Sequence, residues 1–125
     1  MSGVTLDAGA LIALDRHDRR VVALLARAAE LGARVTVPAS ALAQAMRRPA
    51  TQARLSRLVR QPKTAVVALD ATDATQVGIL LAASRTNDIA DAHVVICARR
   101  NGEAIVTSDP KDLRRLDPRV LLITL

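Results

Sequence analysis

Short, unbroken apolar runs recur along this chain between longer stretches of helical periodicity, and no feature constrains its fold more. Val4-Thr5-Leu6, Arg34 to Val37, Thr64 to Leu69, Ala104 to Thr107 and Val120 to Ile123 are each too short for a stable helix. A strand covered on one face alternates apolar and polar residues; one covered on both faces reads as a continuous apolar run. Strands of the second kind, separated by helices, imply an α/β fold. The expected architecture is a three-layer α/β/α sandwich around a central, mostly parallel sheet.

The helices have legible punctuation. One begins near Leu11. Asp18 is placed to cap the next, which carries Val21, Leu24, Leu25 and Ala28 on one face and stops at Gly32. Ser40, Leu42 and Met46 mark a helix ended by Pro49, and Leu55, Leu58 and Val59 mark another. Thr72 or Asp73 is expected to cap a helix bearing Val77, Leu80 and Leu81. Asn87-Asp88 opens a helix that closes at Asn101-Gly102, and Asp109-Pro110 opens the last one, through Leu116. No repeat, low-complexity tract or linker interrupts the pattern, so residues 1–125 are expected to form a single domain.

A chain of 125 residues, half of them hydrophobic, can bury a core without disulfides. Its one cysteine, Cys97, has no internal partner and lies within an apolar run, which suits a small buried side chain in a reducing compartment. No run is long enough to span a bilayer, and the N-terminus lacks a basic segment followed by an apolar one. A cytoplasmic protein with no membrane partner is expected. The net charge is +6 and nearly all of the basic side chains are arginine. Such a surface favours polyanions or an acidic protein partner, although arginine can equally reflect genome composition. There is no Phe, Tyr or Trp. Aromatic stacking of unpaired bases is therefore excluded, and any nucleic acid must be held through phosphates, arginine planes and a metal.

The carboxylates fall at places where parallel sheets build sites. Asp7 follows the first strand and Asp109 lies just past the Ala104–Thr107 strand; ligands collect at such carboxyl ends. Asp88 and Asp91, three residues apart at a helix start, project from one face. Carboxylates that converge repel one another unless a cation neutralises them, and hard oxygen donors suit Mg²⁺ or Mn²⁺. Each acid also has a structural reading. Asp109 before Pro110 is a strong N-cap, Asp112 favours the helix dipole, and Asp88 and Asp91 resemble a capping pair. His93 sits among apolar residues as a core histidine, and His17 in a polar turn. Two histidines and one cysteine give little support to zinc or Cys/His catalysis. No P-loop, nucleophile elbow or dinucleotide-binding glycine motif occurs.

The order of these motifs resembles the PIN-domain ribonucleases, and the length resembles the small VapC-type toxins among them. Leu6-Asp7-Ala8-Gly9-Ala10-Leu11-Ile12 is similar to that family's first strand and acid. Asp91-Ala92-His93-Val94-Val95-Ile96-Cys97-Ala98 resembles its third acidic motif, and Val106-Thr107-Ser108-Asp109-Pro110-Lys111-Asp112-Leu113 its closing element. The resemblance covers nearly the whole chain. It implies a Mg²⁺- or Mn²⁺-dependent endoribonuclease, the toxin of a VapBC-type pair, with an RNA substrate, a VapB-like antitoxin and a homodimeric state. It assigns metal binding to Asp7, Asp91 and Asp109, and places Asp88 with them in the catalytic set. Asp112 would orient water or a second ion from behind. Arg47, Arg48 and Arg54 are candidate phosphate contacts.

One position departs from the pattern. Where the family carries a glutamate on the helix after the second strand, this chain has Gln44, which keeps an oxygen but loses the charge and cannot act as a base. Either Asp88 restores the charge across the site, or the chain binds RNA or antitoxin without cutting. Retained cleavage is the favoured reading because most of the acids persist. A phosphoacceptor domain built on Asp7 fits less well, for lack of an acid pair before it and a lysine on a late strand.

Overall fold

The computed structural model describes residues 3–125. In chain order, β1 (Val4–Leu6), α1 (Ala8–Asp15), α2 (Arg19–Glu30), β2 (Val35–Pro38), α3 (Ala39–Ala45) and α4 (Ala53–Val59) form the first half. Then follow β3 (Thr64–Val67), α5 (Ala71–Ser84), α6 (Ile89–Asn101), β4 (Ala104–Thr107), α7 (Pro110–Leu116) and β5 (Leu122–Thr124). The strands make one sheet, order β3-β2-β1-β4-β5, and every described pairing is parallel. The α/β sandwich read from the sequence is the observed architecture.

The topology fixes where a site can form. From β1 the chain steps outward through β2 to β3, returns past β1 to β4, and then steps outward the other way to β5. Right-handed crossovers put α1 to α4 on one face and α5 to α7 on the other; the contacts of α1 with α2, α3 and α4, and of α6 with α5 and α7, agree. The direction reverses between β1 and β4, so their carboxyl ends border the crevice where such sheets bind ligands.

Aliphatic packing alone fills the core. Leu6, Leu11, Val37, Leu55, Val94, Val95, Ile105, Val106 and Leu113 are fully buried, each contributing about 1.5–3 kcal/mol by leaving water. Helix α6 is buried nearly all round, with Ala90, Ala92, His93, Val94, Val95, Cys97 and Ala98 inside. It packs on β1, β2 and β4 and also touches α3, α5 and α7. Its small residues permit that close approach. Cys97 is buried and its thiol is pushed up to about 11, by desolvation first.

Several boundaries differ from the sequence expectation. Strand β3 ends at Val67, not Leu69, because its partner β2 stops at Pro38 opposite Val67. The last strand is Leu122–Thr124, since Val120 N–H is taken by Asp117 in a turn. Helix α5 is capped by Asp70, whose carboxylate accepts the Asp73 N–H at 2.8 Å; neither Thr72 nor Asp73 is the cap. Asp73 is instead turned into the protein.

Candidate metal centre

Five carboxylates gather at the β1–β4 crevice. Asp7 is 4% exposed. One of its oxygens caps α1 by accepting the Ala10 N–H at 2.8 Å, and its own N–H bonds the Val106 carbonyl across the switch point. Desolvation raises its pKa, the Thr107 hydroxyl and the Ala10 N–H pull it down, and the Asp109 charge adds to the rise. Asp88 caps α6, its carboxylate accepting the Asp91 N–H at 2.9 Å. Asp91, one turn on, is pushed up to about 7: burial acts first, then the charges of Asp88, Asp7, Asp112 and Asp109 in that order. All four other acids act on this one carboxyl, so the residues scattered in sequence do share one site.

Asp109 occupies the N-cap position of α7 but makes no side-chain cap bond, which corrects the expectation of a capping carboxylate. Its backbone N–H is taken by Thr107 Oγ1 at 2.8 Å, leaving the carboxylate free. A hydrogen bond with Asp109, followed by repulsion from its charge, raises the pKa of Asp112. Gly9 admits the α1 N-terminus to this crowd: a Cβ there would lie 2.6 Å from Ser108 Oγ and 3.4 Å from Asp7 Oδ1.

Asp88, Asp91 and Asp112 line an open cleft of about 390 Å³ together with Arg85 and Arg115. Sequence reading missed both arginines. Arg85 is the C-cap of α5 in the left-handed region, at φ 56°, a conformation that costs a non-glycine residue about 1 kcal/mol. A missing glycine between α5 and α6 was the only signal in the sequence. The predicted phosphate contacts lie on α3, α4 and the turn between them. Arg47 bonds the Ala43 and Met46 carbonyls, Arg54 bonds His17 Nδ1 and the Asp15 carbonyl, and Arg48 is exposed. Gln44 is exposed and lines a shallow depression with Ser40, Asn87 and Asp88.

A different trio, Asp73, His93 and Cys97, is the one set of at least three potential ligands among the described residues whose donor atoms lie within 4.8 Å of one another. Its donors are already spent. His93 bonds Ser40 and Asp73, Arg100 holds the other Asp73 oxygen, and the Cys97 thiol is protonated at neutral pH. A cation here would have to displace a guanidinium. Buried Glu103 is likewise satisfied, by Thr5, Thr36 and Arg34.

The family model described as PIN domain matches residues 4–118. The chain belongs to the PIN domain family. Its fold is also similar to a chain in the crystal structure of VapBC2 from Rickettsia felis bound to a DNA fragment from their promoter, with a TM-score of 0.73. The two share 15% identity, and the match covers 99% of this chain and 98% of that one. No protein of curated function matches. The family fits the donor set: this PIN chain offers only hard oxygen donors in the crevice, and the raised Asp91 carboxyl is the mark of negative charge lacking a counter-cation.

Proposed function

We propose that this chain is a Mg²⁺- or Mn²⁺-dependent endoribonuclease, the toxin of a VapBC-type pair. The observation that carries the reading is the convergence of Asp7, Asp88, Asp109 and Asp112 on Asp91, pushed up to about 7. Asp7, Asp91 and Asp109 hold the cation. When bound, it supplies charge stabilisation for the phosphorane oxygens and makes a water more acidic. Asp88 replaces the charge that Gln44 lacks, and Gln44 and Asp112 orient the ligands. Arg85 and Arg115 at the cleft, with Arg47, Arg48 and Arg54 farther out, receive the phosphates. Water oxygen bonds to phosphorus as one P–O ester bond breaks. The water proton passes to a carboxylate, and the departing oxygen takes up a proton from solvent.

Cleavage of labelled RNA in Mg²⁺ or Mn²⁺ by wild type, and none by Asp7→Asn, supports the assignment; equal cleavage by both removes it. The exposed Gln44 motivates a second reading, an RNA- or antitoxin-binding module without cleavage. Inactive wild type with a large gain in Gln44→Glu would favour it. A VapB-like antitoxin, a homodimer and a cytoplasmic location belong to the same proposal; no helix among the described residues is long and apolar enough to cross a membrane.

A further inference from the structure

A buried line of hydrogen bonds runs from α5 through α6 to the rim of the acidic cleft. Arg100 holds one oxygen of Asp73. The other oxygen lies 2.9 Å from His93 Nε2, and His93 Nδ1 lies 2.9 Å from Ser40 Oγ. His93 is 0% and Asp73 3% exposed. Ser40, in the first turn of α3, is half-buried and opens into the depression shared with Asp88, Asn87 and Gln44.

The line has a direction. Desolvation pushes Asp73 up, yet the bonds from Arg100 and His93 outweigh it and hold the carboxyl below its ordinary value. An ionised Asp73 only accepts, so His93 Nε2 carries a proton and donates it. A neutral ring that donates at Nε2 is bare at Nδ1, and the Ser40 hydroxyl is the donor that faces it. That aims the Ser40 proton inward and leaves its oxygen lone pairs toward the depression. Ser40 thereby becomes an acceptor beside Asp88. Phosphates, being acceptors, cannot use it. The donor that an RNA backbone offers at every nucleotide, and DNA lacks, is the ribose 2′-hydroxyl.

We propose that Ser40 Oγ accepts a hydrogen bond from a ribose 2′-hydroxyl of the bound strand and so selects RNA over DNA, with His93 and Asp73 as positioning residues. The proposal rests on the reading of the cleft as an RNA site. Its test is fluorescence anisotropy with labelled RNA, DNA and fully 2′-O-methylated RNA of one sequence, on wild type, Ser40→Ala, Ser40→Thr and Asp73→Asn. Loss of one hydrogen bond predicts that Ser40→Ala weakens RNA binding about fivefold and leaves DNA binding unchanged. Ser40→Thr keeps the preference, and 2′-O-methyl RNA binds wild type no better than DNA. Asp73→Asn lowers the RNA-to-DNA ratio, whereas a merely structural role would move both affinities together. Wild type that binds RNA while Ser40→Ala retains the full preference overturns this inference alone; wild type that binds no RNA overturns the functional reading with it. If Ser40→Ala misfolds by circular dichroism, a 2′-O-methyl strand binding wild type as well as RNA still overturns it.

Discussion

Replacing Asp91 with asparagine should make the metal-free protein more stable while destroying its proposed site. The rise of this carboxyl from 3.8 to about 7 corresponds to about 4 kcal/mol if none of it were screened. Asp91 is partly open to the cleft, and Asp88, Asp109 and Asp112 are exposed, so solvent screening reduces the penalty to about 1–2 kcal/mol. The sign follows from linkage. A carboxyl whose folded-state pKa is raised costs nothing below its unfolded value of 3.8. It destabilises increasingly as pH climbs through about 7, and costs the full amount above that. Asp91→Asn removes the charge and the penalty. Thermal melts in chelator should therefore show the variant about 3–8 °C above wild type near pH 8, and the two nearly level near pH 4. Adding Mn²⁺ at the higher pH should raise wild type and leave the variant unmoved. A stability difference that is the same at both pH values, or a variant less stable at the higher one, would refute the reasoning that Asp91 carries the uncompensated charge of four neighbours.

Gly9→Ala should fold with stability within about 1 kcal/mol of wild type, since Ser108 can swing away and alanine favours the helix. The displaced Ser108 and Asp7 should cost about tenfold in RNA cleavage, read by comparing melts with rates. Far from the site, Glu103→Ala should destabilise by about 2–4 kcal/mol in urea unfolding, because it strips the shared acceptor from Thr5, Thr36 and Arg34; Glu103→Gln should cost clearly less.

The layer order and the acids were legible because both follow from local rules. Continuous apolar runs such as Ile105-Val106 signal strands buried on both faces, and Asp7 and Asp109 sit at strand ends by chain position alone. What stayed hidden depends on partners distant in sequence. Asp73 read as a helix cap because capping is local; its burial against His93 and Arg100 comes from the packing of α5 on α6. Asp109 read as a cap for the same reason, yet Thr107 supplies the local bond and frees the carboxylate. The arginines at the cleft are Arg85 and Arg115. No pattern in the sequence marks them, because exposed residues carry no periodicity constraint. Gln44 was placed by motif, and its side chain does open beside Asp88.

Electron paramagnetic resonance of Mn²⁺ titrated into the intact protein tests the metal assignment most directly. Wild type should capture the ion at neutral pH, Asp7→Asn and Asp91→Asn should lose it, and Cys97→Ser should bind as wild type does. Mn²⁺ held equally by the two aspartate variants, or lost in Cys97→Ser, would contradict the assignment of the cation to the β1–β4 crevice.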